Sequence, residues 1–592
     1  MTTDATMETS TTSPSGLDRW AAARDILLSA AAVGLVAGLL EAGIHVVRFR
    51  WFGQYTWTSG QIGWMAPLSY LAFLGSGAVP SAALAALRPR WPVVAWFVAV
   101  ASASAAFALV RVGSAQRLHL VAMAAIAVGV GTQLGRRVYR APVAWSSLAR
   151  RTVLAGSLAV VALAAIGLGL PAWRERSGIA ALPAADRDAP NVLLLVLDTV
   201  RGESLSLYGY SRPTTPRLSG FASRGVVFDR AISAAPWTLP SHATMFTGRQ
   251  PWELGASFRS QLDGRYPTLA ERFRERGYLT AGFVANTMYA SEETGLQRGF
   301  LRYQDYRITV KQILLGSEFG QLVSSTRSKL AIRAADMATA PIINDWLLSW
   351  LPDARRSGRP FFAFLNFMDA HLPYRTPAPW EAKFRRDDPM VDRYDAAVGF
   401  LDDQVGRLLD ELDRQGVLDN TIVVVTADHG EHLGDHKMDN HANSLYLQLL
   451  RVPLVVVFPK SVPAGRRVVE PAGLIDLPTT LLELAGATDP AVGGRSLRRF
   501  WTADSANPVQ PPFIVSQVDQ HPIRRSWYRN RDGPLWGALG EGHHLIENPD
   551  RSIELYDYLA DPGEVTNLSA DSTRRVWATR LRAVLDSARA GR

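Results

Sequence analysis

The chain reads as an open α/β domain, with helices on both faces of its sheet, placed behind an α-helical membrane domain of about five spans. Two observations predict this. Residues up to about 170 carry long runs of Ala, Val, Leu and Gly with few charges. Beyond residue 190, unbroken apolar runs of strand length alternate with helical patterns, and three of those runs end in Asp or His. Such alternation gives a sheet covered on both sides, with the site at the carboxyl ends of its strands.

Five apolar stretches make up the membrane half: 26–47, 63–87, 91–110, 119–134 and 152–170. A helix needs roughly 20 apolar residues to cross about 30 Å of hydrocarbon. The fourth stretch is short and Gly-rich, whereas the other four have the length. The first starts late and is followed by further spans, unlike a cleaved signal peptide. Arg136, Arg137, Arg140, Arg150 and Arg151 crowd the loop before the fifth stretch, and such positive loops face the cytoplasm. With five spans, residues 1–25 form a cytoplasmic tail and everything after Leu170 lies outside, in a multi-pass protein of the plasma membrane. Glu41 and His45 share one face of the first span. They form either an intramembrane functional site or a mutually neutralising pair near the interface. Residues 171–190, rich in Ala, Pro and charge, read as a tether.

In the soluble half, Asn191–Leu197 (NVLLLVL) has the pattern of a strand buried on both faces and ends in Asp198-Thr199. Phe361–Phe367 (FFAFLNF) runs into Met368-Asp369-Ala370-His371, and Thr421–Thr426 (TIVVVT) leads to Asp428-His429. Further strands are expected at 280–285 and 452–458, and a long helix at 391–414. The segment APWTLPSHATMFTG, 235–248, carries a helix start: Pro240 suits the first turn and Gly248 the far end. Thr238 sits where an N-cap would. Its hydroxyl either caps the helix or faces an anion held at the helix's positive end. Of eleven histidines, His242, His371, His429, His432, His436 and His441 all fall within these segments.

Composition removes several alternatives. Cysteine is absent, so there is no disulfide framework and no Cys-ligated zinc. The formal net charge of +9 comes mostly from Arg, much of it flanking apolar segments. No basic run is interleaved with aromatics, so no nucleic-acid partner is expected.

NVLLLVLDTVRGESLSLYGYSRPTTPRL, APWTLPSHATMFTGR, FMDAHLPY, TADHGEHLGDH and LLRVPLVV, in that order, resemble the motifs of sulfatases in the alkaline phosphatase superfamily. HHLIENPDRSIELYDYLADPGEVTNL resembles the C-terminal sulfatase subdomain. The resemblance runs from Asn191 to about Leu568. It implies an alkaline-phosphatase-like sandwich with a mixed, mostly parallel sheet over 191–504, and a small antiparallel subdomain over 505–592. Asp198 matches the family's first metal carboxylate, and Asp428 with His429 the later metal pair. Thr238 falls at the nucleophile, usually a cysteine oxidised to formylglycine. His371 and His441 match histidines that contact the ester oxygens and the leaving group. Ser241 is the rival nucleophile. With His242 and Asn286 it is also a candidate substrate contact.

The chain departs from the family pattern in ways that matter. Without cysteine, no formylglycine is expected from it. Asp198-Thr199 stands where many sulfatases have paired Asp, Asp428-His429 where they have Asp-Asn, and His242 where an Arg commonly follows the nucleophile. These changes resemble phosphoethanolamine transferases and lipoteichoic acid synthases, which use a Thr nucleophile behind membrane helices. The resemblance implies one divalent metal on Asp198, Thr238, Asp428 and His429, and the imidazole favours Zn or Mn over Ca. The expected function is a membrane-anchored, metal-dependent hydrolase of sulfate or phosphate esters outside the cytoplasm. One alternative is a phosphoryl-group transferase, of phosphoethanolamine or phosphoglycerol type, acting on envelope lipid or glycan. Another is a non-catalytic membrane protein on the same fold. His432, Asp435 and His436 are expected either to support the site from behind its ligands or to lie in a surface loop. Region 306–337 matches no motif and reads as a substrate lid or a membrane-facing helix.

Overall fold

The computed structural model describes residues 16–590 except 57, 88–91, 115–116, 187, 324–336, 375, 387 and 503–511. The chain divides into two compact units: Met1–Trp173 with Arg307–Asp336, and Arg174–Tyr306 with Met337–Arg592.

The first unit is helical. Its main elements are α1 (Gly16–Phe52), α2 (Ile62–Leu87), α3 (Val93–Gly113), α4 (Leu120–Arg140) and α5 (Pro142–Ala180). Small residues let these helices approach closely. A β-carbon at Gly38 of α1 would lie 2.3 Å from Cα of Pro67 in α2, and one at Gly131 of α4 only 2.3 Å from the Ala99 carbonyl of α3. Among the described residues, four helices are long and apolar enough to cross a membrane: Trp20–Phe52 of α1, α2, α3 and α5. The fourth expected span, α4, is not among them. Gln133, Arg136, Arg137 and Arg140 occupy its C-terminal half. Several boundaries change. Helix α4 runs on to Arg140 and α5 starts at Pro142, so the arginines expected in a loop before the fifth stretch lie on helices. Helix α1 begins at Gly16, inside the expected tail. Helix α5 runs on to Ala180, so only the second half of the 171–190 tether is non-helical. Arg174, Glu175 and Arg176 are good helix formers, and they carry the helix past Pro171. The expected start of the third span, Trp91, and the expected 504/505 boundary lie outside the described residues.

The second unit is built on an eight-stranded sheet. Its strands lie in the order Arg466–Val468, Val226–Phe228, Leu454–Val457, Thr421–Thr426, Asn191–Leu197, Phe361–Phe367, Leu279–Val284 and Arg302–Gln304. Only Leu454–Val457 runs against the rest. The three central strands are parallel and buried almost throughout, which is why they read as unbroken apolar runs. The expected strand 452–458 is shorter. Arg451–Val452 pairs with Ala231–Ile232 in a separate small sheet, and Pro453, which has no N–H, divides the two. The long helix spans Pro389–Arg414, with Asp388 capping it and Pro389 in its first turn. The C-terminal subdomain is a four-stranded antiparallel sheet, Ile514–Val518, Leu535–Gly540, His543–Glu547 and Ile553–Asp557. Helix Arg575–Ala590 covers it through Leu581 and Leu585.

Candidate active site and metal centre

Three neighbouring strands deliver the site's acidic and imidazole groups at their carboxyl ends. Asp198 follows Asn191–Leu197, and its N–H donates to the Phe367 carbonyl at 2.8 Å, extending the ladder by one residue. Asp428 and His429 follow Thr421–Thr426. Asp198, Asp428 and His429 are fully buried, and one ligand atom of each lies within 4.8 Å of the others. Gly430 allows this packing, because a β-carbon there would lie 2.0 Å from the Gln448 carbonyl.

The donor set suits a cation. Asp198 Oδ1 and Asp428 Oδ2 are buried and have no hydrogen-bond partner, a costly state for a carboxylate that binds nothing. His429 Nδ1 bonds the Gly430 carbonyl at 2.9 Å, which turns Nε2 to within 3.4 Å of Asp428 Oδ2. A carbonyl partner on the far nitrogen is how metal-ligating imidazoles are oriented. Burial, aided by His441, pushes the His429 pKa well below its ordinary value, so the ring is neutral and its lone pair free. Burial and the nearby Asp198 push the Asp428 carboxyl well up. Asp198 is also raised by burial, but His371, His429 and the Asn286 amide outweigh that and hold it low. The pair behaves as two carboxylates too close to ionise freely.

Thr238 opens the ten-residue helix Thr238–Thr247, which ends at Gly248 with φ +67°. The capping alternative does not hold: Trp237 is the N-cap, and no side chain caps the helix. Thr238 Oγ1 instead lies 3.4 Å from His429 Nε2 and accepts from Asn286 Nδ2 at 3.3 Å. Asn286 also donates to Asp198 Oδ2 at 2.9 Å. The rings of His371 and His441 lie 5.1 Å apart, and those of His429 and His441 4.5 Å apart. His371 Nδ1 faces the Leu372 carbonyl at 2.8 Å and His441 Nδ1 the Glu431 carboxylate at 3.1 Å, which leaves each Nε2 out of those bonds.

Ser241 and His242 border the cluster at Asp428. Ser241 Oγ donates to the Asp428 carbonyl at 2.7 Å. His242 Nδ1 lies 2.8 Å from the Thr238 carbonyl and 3.5 Å from Asp428 Oδ2. Thr199, which stands where many sulfatases have the second of two paired Asp, adopts φ +62°. Its hydroxyl bonds the Asp198 and Ala370 carbonyls, not a ligand position. His432 pairs with Ser444 at 2.8 Å, and His436 stacks on Tyr446 at 3.7 Å. Ser241→Ala should keep turnover within about threefold of wild type and lower stability by about 1–2 kcal/mol. Parallel kinetics and thermal melts check this. A loss of turnover matching that of Thr238→Ala would make Ser241 the nucleophile.

A family model described as "Sulfatase" matches residues 190–487. The chain belongs to the sulfatase family. It is 23% identical to the uncharacterized sulfatase YidJ of Escherichia coli, over 64% of this chain and 83% of that protein. It is 26% identical to human N-acetylgalactosamine-6-sulfatase, over 64% and 81% of the respective chains. Among solved structures, the phosphonate monoester hydrolase of Agrobacterium radiobacter superposes with a TM-score of 0.55 at 21% identity, covering 68% of this chain and 96% of that one. The Silicibacter pomeroyi enzyme SpPMH, also a phosphonate monoester hydrolase, gives 0.53 at 22% identity, covering 68% and 95%. The alkaline-phosphatase-like fold expected from the motifs is the fold observed, and family membership makes this an ester-hydrolase chain.

Three residues of this sulfatase-family site escape motif reading. Asn366, inside a strand, donates to Asp198 Oδ2 at 3.2 Å. Glu431 is fully buried, and burial pushes its carboxyl up to about 8. Its partner His441 is driven down to about 3, by burial first and then by His371. Arg201 holds the 431–435 turn through the Glu431 carbonyl at 3.4 Å and Asp435 at 2.7 Å.

Asp369, two residues before His371, accepts the Ala340 N–H at 2.9 Å, and burial raises its carboxyl to about 7. An unfolded Asp titrates near 3.9. The folded state therefore holds a proton that the unfolded state has released across that window. Stability from this group is complete below about pH 4 and is lost as the pH rises through about 7, by up to about 4 kcal/mol. Asp369→Asn keeps an acceptor for Ala340 and removes the titration. The difference in melting temperature between variant and wild type should grow in the variant's favour from pH 4 to pH 8. A constant difference would show that Asp369 ionises normally.

Proposed function

We propose that this protein is a membrane-anchored, metal-dependent hydrolase of sulfate or phosphate esters, with Thr238 as nucleophile and its catalytic domain outside the cytoplasm. The observation that carries the reading is Thr238 Oγ1 beside His429 and Asn286, next to a buried cluster in which one oxygen of each carboxylate, Asp198 Oδ1 and Asp428 Oδ2, lacks a partner. A divalent cation held by Asp198, Asp428 and His429, Zn or Mn rather than Ca given the imidazole, would make the neighbouring hydroxyl more acidic and offset charge on the ester oxygens.

The chain's own residues supply the remaining steps. Thr238 Oγ1 gives up its proton to solvent and forms a bond to phosphorus or sulfur as the bond to the leaving oxygen breaks. Asn286 Nδ2 holds that hydroxyl in place. His441, kept neutral by burial and backed by Glu431, offers Nε2 to the non-bridging oxygens. His371 hands a proton to the departing alkoxide. Water then attacks the phosphoryl or sulfuryl group on Thr238, releases it as the inorganic anion and regenerates the hydroxyl. A sulfated threonine has no elimination exit and needs this second attack at sulfur. A phosphorylated one is resolved by a second in-line attack, so phosphate-type esters fit somewhat better.

Apolar helices ahead of the domain favour one second reading, transfer of the phosphoryl group from a lipid donor to a lipid or glycan acceptor. The two readings part in a single assay set. Purified full-length protein is offered 4-nitrophenyl sulfate, 4-nitrophenyl phosphate, bis(4-nitrophenyl) phosphate and 4-nitrophenyl phenylphosphonate, with bound metal measured alongside. Turnover of one or more supports the hydrolase. Turnover only when a lipid donor and an alcohol acceptor are added supports the transferase. A metal-free, inactive protein in every arm supports the non-catalytic alternative.

A further inference from the structure

A cavity of about 270 Å³ lies within the catalytic unit, and none of the residues that line it takes part in ester cleavage. The LLRVPLVV motif supplies one of its walls, Arg451, and Arg230 and Arg467 supply others. Strand pairing brings the three together. Arg467 lies in strand Arg466–Val468, which runs beside Val226–Phe228. Arg230 directly precedes strand Ala231–Ile232, and Arg451 opens the short strand paired with it. Two carboxylates, Glu203 and Asp229, also face the cavity.

The carboxylates are already engaged. Asp229 pairs with Arg467, and Glu203 with Arg201 at 3.2 Å. Arg230 and Arg451 are left with carbonyl partners only. Arg230 Nη1 donates to the Val469 carbonyl, and Arg451 Nε to the Asp229 carbonyl at 3.1 Å. The two terminal nitrogens of Arg451 make no hydrogen bond or ion pair among the described residues. Its guanidinium and that of Arg467 each lie 5.7 Å from the Tyr208 ring. Burial, with Arg230 close by, holds the Arg451 guanidinium below its usual range. Buried charge in the helical unit is matched instead. Glu41 accepts the Tyr70 hydroxyl at 2.8 Å and the Glu318 N–H at 2.7 Å, and Arg111 pairs with Glu318 at 2.8 Å. A partly buried guanidinium beside a second one is costly until an anion completes it.

We propose that this cavity binds a small tetrahedral oxyanion, a sulfate or phosphate group either free or on a compact organic molecule, through Arg230 and Arg451. Guanidinium groups offer parallel N–H donors that match two oxygens of such a group. The size agrees, because pockets for drug-sized ligands begin at about 300 Å³. Leu447, Leu539 and Leu559 line the cavity as well and give a short organic substituent an apolar wall. This anion site is separate from the Asp198–Asp428–His429 cluster, and it stands whether or not Thr238 is the nucleophile. On the hydrolase reading, its ligand is of the same class as the anion that the reaction releases.

The test maps arginine reactivity in full-length protein held in an uncharged detergent. Phenylglyoxal labels guanidinium groups, and peptide mass spectrometry reads each arginine separately. Inorganic sulfate, inorganic phosphate and phenyl phosphate are the probes, with chloride at equal ionic strength as the reference. At several times its dissociation constant, at least one probe should slow labelling of both Arg230 and Arg451 by about fivefold or more. Labelling of the exposed Arg355 should change by less than about twofold, because simple screening would act on it equally. Stronger protection by phenyl phosphate assigns an organic ligand, and equal or weaker protection assigns the free anion. Arg230→Ala should remove the protection at Arg451. The wild-type footprint decides the matter if that variant does not fold. Absence of protection by all three probes overturns the proposal, as does equal protection by chloride. Protection of Arg451 that persists in Arg230→Ala puts the anion elsewhere and overturns it too. If either arginine labels too slowly to follow, equilibrium dialysis with radiolabelled sulfate and phosphate takes over. Wild type should then bind one more anion per chain than Arg230→Ala, and equal binding overturns the site.

Discussion

Thr238→Ala should lower kcat by about 10⁴-fold or more while leaving the fold and the bound metal in place. The side chain is small and opens a helix whose first turn it does not cap, so its removal disturbs little else. The lost atom is the oxygen that lies 3.4 Å from His429 Nε2 and 3.3 Å from Asn286 Nδ2. Thr238→Ser keeps that oxygen and should retain turnover within about tenfold. A covalent adduct on the Thr238 peptide should be trapped from wild type by rapid acid quench and seen by mass spectrometry. Wild-type turnover by Thr238→Ala would end this assignment.

Removing the metal should have the second-largest effect. Dialysis against a strong chelator is expected to abolish turnover, and Zn or Mn should restore it better than Ca. The folded state should lose stability as well. An ion present at 1,000 times its dissociation constant contributes about 4 kcal/mol. The carboxylate pair adds a sign that distinguishes this site from a generic acidic patch. Burial and Asp198 push the Asp428 carboxyl up, so Asp428→Asn relieves a repulsion when no ion is bound. Metal-free Asp428→Asn should therefore melt at or above metal-free wild type, yet gain far less when the ion is added. Differential scanning calorimetry with and without chelator checks both signs. Full turnover by metal-free wild type would remove the cation from the mechanism.

Most of the catalytic fold could be read from residue patterns, for a physical reason. Asn191–Leu197, Phe361–Phe367 and Thr421–Thr426 are buried on both faces, so neither face needs polar residues and each strand stands out with its ends intact. The same pattern marks Asp198, Asp428 and His429, because a charged or imidazole group directly after such a run has few reasons to be there. What stayed hidden depends on long-range burial. Glu431 reads as one more polar residue in a polar turn until the fold buries it beside His441. Asn366 lies within an apolar strand and shows its purpose only when Asp198 comes alongside. The 310–323 insertion is two short helices with mixed composition, and Glu41, which receives it, lies far away in the chain. The extension of α5 to Ala180 was masked by Pro171, which usually marks a break.

The hydroxyl at the start of the Thr238 helix also bears on how the protein is made. A formylglycine centre is made by oxidising a cysteine side chain, so the chain is not active until that further reaction has taken place. On the proposed reading, a threonine nucleophile is finished at translation. The chain would then need only membrane insertion and its ion, and any host that provides both could produce it in working form.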